Sequence, residues 1–259
     1  MADVSLSLRE RTSVISGPLT TVTQNIASTL TQNGSDVVFI ANKADAHQRV
    51  AQHLNDQREV NEKYGRCRAF EFNLDDPKVC KEAISKAAET FGCVDIYIDA
   101  LGISTPAPFR NESSIEIFEE LLQKQLKSSF HLSHAVINFL KTRKRGRIVY
   151  LITDECHSGF AMDSVHSLVR GGLSSFTRSF SKEIADLSCT VNTIATGLTE
   201  DYLLSHFTEC KSIKEALEQM KKIDSSARLM NPENLANTIL YLCSNLGSGI
   251  SGETLRIKI

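Results

Sequence analysis

Tryptophan is absent from this 259-residue chain, proline occurs only 5 times and glycine 13 times. Scarce proline and glycine exclude collagen-like and low-complexity architectures. Apolar runs stay as short as Ile148 to Ile152, far below the length that crosses a bilayer. The start, Met1 to Arg11, mixes charges with isolated leucines and has no apolar signal core. Charge of one sign is missing too: 29 basic and 31 acidic residues leave a net charge of −2. No global field draws such a chain to nucleic acid or to an anionic membrane. The 7 cysteines are dispersed without a Cys-x-x-Cys pair, and the 7 histidines show no ligand spacing. That pattern argues against a disulfide framework and against a metal site, and points to reduced thiols in a cytoplasmic protein.

What is present is a hydrophobic fraction of 41%, enough for one large core. Short β-rich runs alternate with helical stretches. Thr12 to Ser16 reads as a strand, followed by a helix from about Val22 to Gln32, which Asn33-Gly34 stops. Asp36 to Ala41 has the continuous apolar character of a strand buried on both faces. A polar helix is expected from Asp45 to Tyr64, then a strand from Arg68 to Asn73, and Pro77 opens the next helix. Further strands are expected at Val94 to Ala100, Arg147 to Ile152, Thr190 to Ala195 and Thr254 to Ile257. Between them fall helices at Ile115 to Leu140, Leu168 to Asp186 and Pro232 to Ser244. Such alternation implies right-handed crossovers. The expected fold is α/β: a doubly wound, Rossmann-type parallel sheet, one domain over residues 1–259, with helices on both faces. Its ligand crevice should lie outside the carboxyl ends of the strands.

Several segments, in order, carry a family resemblance: Ser16-Gly17 after the first strand, Val94 to Gly102, Gly146 to Val149, Gly172 to Ser179, Val191 to Gly197, and Ser251 to Leu255. Together they resemble the short-chain dehydrogenase/reductases, and most of all the 3-oxoacyl-(acyl-carrier-protein) reductase branch. The resemblance implies NADP or NAD as cofactor and a phosphate loop with three glycines. Only Gly17 remains here; Thr21 and Thr23 stand at the other two glycine positions. A β-branched side chain at either place is expected to crowd the cofactor or push the helix away, weakening binding. Lys43 follows the second strand, either as a partner for the 2′-phosphate of NADP or as an ordinary solvated lysine. Asn73 stands near the implied adenine position. Asp99 replaces an Asn near the ribose, ahead of Leu101 and Gly102.

The resemblance also implies a Ser, a Tyr thirteen residues later and a Lys four after that. The spacing falls on Thr153, His166 and Arg170, and the Asn of the proton relay falls on Gln125. Thr153 keeps a hydroxyl, but arginine cannot copy the compact contact of lysine. A guanidinium close to His166 is expected to disfavour the imidazolium that alone could donate a proton. His166 is otherwise a surface or cleft histidine without a role.

Two surface features complete the reading. The basic run Lys141 to Arg147, with Lys182, is either a solvated helix cap or a dock for an acidic acyl carrier protein. The helices containing Leu121 to Leu140 and Leu173 to Phe180 are apolar beyond one core-facing stripe, so a homodimer, or a hetero-oligomer with a related subunit, is expected. The ending Arg256-Ile257-Lys258-Ile259 lacks the Gly-rich tail of the reductase branch, which argues against its usual tetramer. Two functions follow: a catalytically degenerate, partner-type protein linked to fatty-acid or acyl-chain metabolism, or an NADPH-dependent reductase of 3-oxoacyl or related carbonyls with an atypical Thr/His/Arg site. A third, weaker one is a module holding another ligand in the old crevice.

Overall fold

The computed structural model describes residues 6–102, 108–110, 112–160, 163–225 and 227–257. The first residues and the tail at Lys258-Ile259, on which expectations were placed above, fall outside this set. Seven strands form one parallel sheet in the order β3-β2-β1-β4-β5-β6-β7. They are β1 (Thr12–Ser16), β2 (Asp36–Ala41), β3 (Cys67–Glu71), β4 (Ile96–Asp99), β5 (Arg147–Thr153), β6 (Thr190–Thr196) and β7 (Thr254–Ile257). The ten α-helices among the described residues are α1 (Thr21–Gln32), α2 (Asp45–Val60), α3 (Pro77–Phe91), α4 (Ser114–Leu121), α5 (Ser128–Arg143), α6 (Glu155–Ser158), α7 (Ser164–Glu183), α8 (Glu200–His206), α9 (Ile213–Ile223) and α10 (Pro232–Cys243). The doubly wound sheet is therefore as expected.

Period-two alternation sorts the strand residues onto two faces. Ile15, Phe39, Ile98, Val149, Leu151 and Ile194 pack with α1, α2 and α10. Val14, Val38, Ile40, Tyr97, Ile148 and Tyr150 pack with α3, α5 and α7 on the other. Each fully buried branched side chain contributes about 2 kcal/mol of burial free energy. No helix among the described residues is long and apolar enough to cross a membrane.

Three expectations change. The helix after β2 ends at Val60, four residues early, because residues 61–64 turn instead. The long helix around Ile115 to Leu140 is interrupted by a π-helical segment, Leu122–Lys127, between α4 and α5. One wide turn there shifts the buried stripe without breaking the rod. The stretch after β6, left without structure above, forms α8 and α9, opened by Thr199 and Ser212, whose hydroxyls accept from the Tyr202 and Glu215 N–H groups.

At the amino edge of the sheet, Asp95 is wholly buried and gathers Arg143 (3.0 Å), Arg145 (2.9 Å) and the Thr12 N–H (3.2 Å). Arg147 is buried as well and donates to the Gly146 and Ser244 carbonyls. The arginines of the basic run thus also serve the fold, Arg143 and Arg145 while partly exposed.

Burial alone would push the Asp95 carboxyl up, but Arg145, Arg143, Cys93 and the Thr12 N–H outweigh it and hold it below the usual carboxylate range. Because the folded value is the depressed one, this stabilisation is present above the ordinary carboxylate pKa and is lost as pH falls through the depressed value. Asp95→Asn should cost roughly 2 kcal/mol in urea unfolding at pH 7 and flatten the acid limb of the stability profile. Equal acid sensitivity of wild type and variant would contradict the clamp.

Candidate functional site

Strand order reverses between β1 and β4, the switch point where such sheets open a ligand crevice. Gly17 makes the turn after β1 at φ +123°, a region closed to most side chains, and a Cβ there would lie 2.3 Å from the Ala100 carbonyl oxygen. The two chain segments therefore meet at the crevice floor, and only glycine fits.

Beyond this floor the crevice divides in two. On the β2 side lies a cleft of about 960 Å³, lined by Gly17, Lys43, His47, Asp75, Leu101 and Gln125, among others. Lys43 is exposed there, and Gln125, carried inward by the π-helical segment, is buried. Burial holds the His47 imidazole below its usual value, against the pull of the Gly17 and Lys43 carbonyls, the former 3.1 Å from Nε2. Asn73 lies outside this lining: it is exposed, and its side chain accepts from the Asp75 N–H at 3.3 Å. The neighbouring Leu74 and Asp75 line the cleft instead. On the β5–β6 side the crevice shrinks to about 60 Å³ between Thr20, Thr23, Gly102, Thr153, Thr199 and Asp201. That volume takes a few water molecules.

Arg170 lines neither part of the crevice. It is wholly buried, its guanidinium turned in beneath the sheet edge. It donates to the Leu151 carbonyl, lies 3.4 Å from Asp99 Oδ1 and 3.5 Å from Ser129 Oγ. A Cβ on Gly102 would come within 2.6 Å of its Nε, so the glycine makes room for it. Asp99 is held in turn by Tyr97 Oη (3.2 Å) and the Leu101 N–H (3.3 Å). Burial, and next the charge of Asp99, push the Tyr97 phenol well above its usual value, so it stays a donor. The acid expected to put negative charge near a ribose is instead neutralised inside the protein.

His166 does not join Thr153. Among the described residues it lines neither part of the crevice; it is wholly buried on α7, with Nδ1 3.4 Å from Asp163 Oδ2. Its nearest charged partner is this carboxylate, because the guanidinium expected to act on it is turned away to Asp99. Nor is it a surface histidine. Both its ring nitrogens lack a hydrogen-bond partner. His206, stacked 3.9 Å from the Tyr202 ring, sits near enough to feel Asp163 and His166, and burial holds it below the usual histidine value.

The two threonines also act differently from expectation. Thr20 and Thr23 close a capping box: the Thr20 N–H donates to Thr23 Oγ1 (2.8 Å) and the Thr23 N–H to Thr20 Oγ1 (3.1 Å). The start of the helix is thereby capped. Thr21 is exposed.

A family model described as enoyl-(acyl carrier protein) reductase matches residues 20–258. The chain belongs to the short-chain dehydrogenase/reductase family. It is 27% identical over 98% of both chains to a 3-oxoacyl-(acyl-carrier-protein) reductase FabG of Aquifex aeolicus. The FabG of Escherichia coli is 24% identical, again over 98% of each. A diacetyl reductase, (S)-acetoin forming, of Staphylococcus epidermidis is 24% identical over 95% of this chain and 96% of its own. In fold it resembles a dehydrogenase/reductase from Sinorhizobium meliloti, with TM-score 0.81 and 20% identity over 98% of this chain and 96% of that one.

Members of this family normally bind NAD or NADP. The nucleoside half of the crevice fits such a group: the Gly17 turn, the open cleft and Lys43 are in place. The other half fits it poorly, since the cavity there is only about 60 Å³. Among the described residues no group of His, Cys, Asp or Glu is placed to hold a metal ion.

Truncating Arg170 strands a buried carboxylate. Arg170→Met should lose about 3–5 kcal/mol in denaturant unfolding, and Asp99→Asn in the same chain should recover much of it. Additive losses in the double-mutant cycle would show that the two side chains do not pair.

Proposed function

We propose that this chain is a catalytically silent member of its family that works through association, as a partner subunit in fatty-acid or acyl-chain metabolism. The observation that carries this is the fate of Arg170, buried and bonded to Leu151, Ser129 and Asp99 at the position implied for a cofactor-holding lysine. A guanidinium so committed is not available to hold a ribose or to assist a proton transfer. His166, at the implied proton-donor position, is buried beside Asp163 and does not face the crevice. The relatives named as 3-oxoacyl-(acyl-carrier-protein) reductases supply the metabolic setting.

Association is supported by Phe109, Ile115 and Leu168, which are 77%, 73% and 66% exposed around one apolar groove. Phe130, half-exposed on α5, packs beside Phe176. An obligate interface favours such residues. The occupant is a second copy or a related subunit of the same fold. Docking of an acidic acyl carrier protein would rest on Lys144 and Lys182, since Arg143 and Arg145 are held by Asp95.

A second reading, an NADPH-dependent reductase of 3-oxoacyl or related carbonyl substrates using Thr153, His166, Arg170 and Gln125, is favoured by two observations. Thr153 lines the crevice, and Lys43 stands free at its open nucleoside side.

Two measurements separate these readings. Purified protein incubated with NADPH and a 3-oxoacyl thioester should show no turnover above background; turnover abolished by His166→Ala would overturn the silent reading. In sedimentation velocity the wild type should run as a dimer or larger, and Ile115→Glu with Leu168→Glu as a folded monomer. A wild-type monomer at micromolar concentration would remove the association reading.

A further inference from the structure

The segment after β6 carries a second cluster of buried and half-buried polar side chains. On α8, His206 Nδ1 lies 2.9 Å from the Tyr202 carbonyl oxygen and 3.2 Å from Ser205 Oγ. A carbonyl only accepts, so Nδ1 is the ring nitrogen that carries the hydrogen. Nε2 is then the bare nitrogen, and it is buried without a hydrogen-bond partner among the described residues. The ring stacks on Tyr202 at 3.9 Å and meets the Phe160 ring edge-on, with centroids 6.4 Å apart. The Phe160 carbonyl in turn accepts from the N–H of Asp163, the N-cap of α7, at 3.1 Å.

This helix borders the crevice. Thr199, Asp201 and Tyr202 line its small half, so whatever seats α8 also sets the size of that half. Toward α9 the contact is apolar, Leu203 clustering with Ala216 and Met220. Lys214, Glu215, Glu218 and Lys222 of α9 are exposed, and Lys221 pairs with Glu218. Glu200 and Asp201 occupy the first turn of α8, at the far end from His206. The ionisable groups that bear on His206 are therefore Asp163 and His166.

We propose that His206 is an acid-sensitive latch: neutral, it keeps α8 seated over the small half of the crevice, and protonated at Nε2 it releases the helix. A proton there creates a charge and an N–H donor in a place that offers no acceptor. Asp163 is the one carboxylate at hand, and it already lies 3.4 Å from His166 Nδ1. Two imidazolium rings about one carboxylate repel each other.

Burial comes first and holds His206 below the ordinary imidazole value; His166 adds to it, while the Tyr202 carbonyl and Asp163 pull the other way. Because the folded value is the depressed one, the seat is complete above the ordinary imidazole value. It is lost as pH falls below that value toward the depressed one. The latch stands whether or not the chain turns over a substrate.

The test is amide hydrogen exchange of the full chain, corrected at each pH for the intrinsic rate. Opening at Leu203 to Phe207 should rise roughly tenfold between about pH 7 and about pH 5, while β5 and β6 stay protected. His206→Phe keeps a ring on Tyr202 but has no nitrogen to protonate, and should flatten this dependence. His166→Leu frees Asp163 for His206 and should shrink the step without abolishing it. In the wild type, the His206 ring signals should titrate below the ordinary imidazole value, over the same pH range as the α8 amides. A step of wild-type size in His206→Phe would overturn the proposal. So would an equal step in β5 and β6, or titration of His206 at or above the ordinary value.

Discussion

The buried pair between Arg170 and Asp99 is the interaction on which the carboxyl edge of the sheet depends. A guanidinium and a carboxylate, both wholly buried, are tolerated only if they are paired and largely hydrogen-bonded. Leu151 and Ser129 serve the arginine; Tyr97 and the Leu101 N–H serve the aspartate. The Ser16 hydroxyl, 2.9 Å from Tyr97 Oη, ties β1 into the same network. Three strands, β1, β4 and β5, and helix α7 are thereby locked around one pair of charges. What a ligand would otherwise stabilise, the chain stabilises by itself.

The fold was legible because its signals are local and repeated. Continuous apolar runs at Asp36–Ala41 and Arg147–Thr153 announce strands covered on both faces, and Gly17 and Pro77 mark a turn and a helix start by chemistry no other residue shares. The π-helical segment was not legible, since Leu122 to Lys127 has ordinary helix-forming residues and the extra residue in the turn is imposed by packing. Helices α8 and α9 were missed because short amphipathic stretches after β6 carry little periodicity over so few residues.

At the site, residue identity and position were legible but destination was not. Spacing placed His166 and Arg170 on one helix, yet it could not say that the arginine turns inward to an acid some seventy residues earlier, an ion pair of sequence separation 71. Thr21 and Thr23 looked like obstructions; one faces solvent and the other seals a helix end. The basic run before β5 read as a solvated cap or a docking surface, and two of its arginines, Arg143 and Arg145, pair with Asp95. In each case a long-range partner, invisible to local pattern, decides what a charged or hydroxyl side chain does.

The most direct measurement is a calorimetric titration of the purified wild-type chain with NADPH and, separately, NADH. With Arg170 held by Asp99, no saturable binding is expected up to millimolar cofactor. Saturable binding at micromolar concentration would mean that the buried Arg170–Asp99 pair leaves the cofactor site usable, and the catalytically silent account would have to be abandoned.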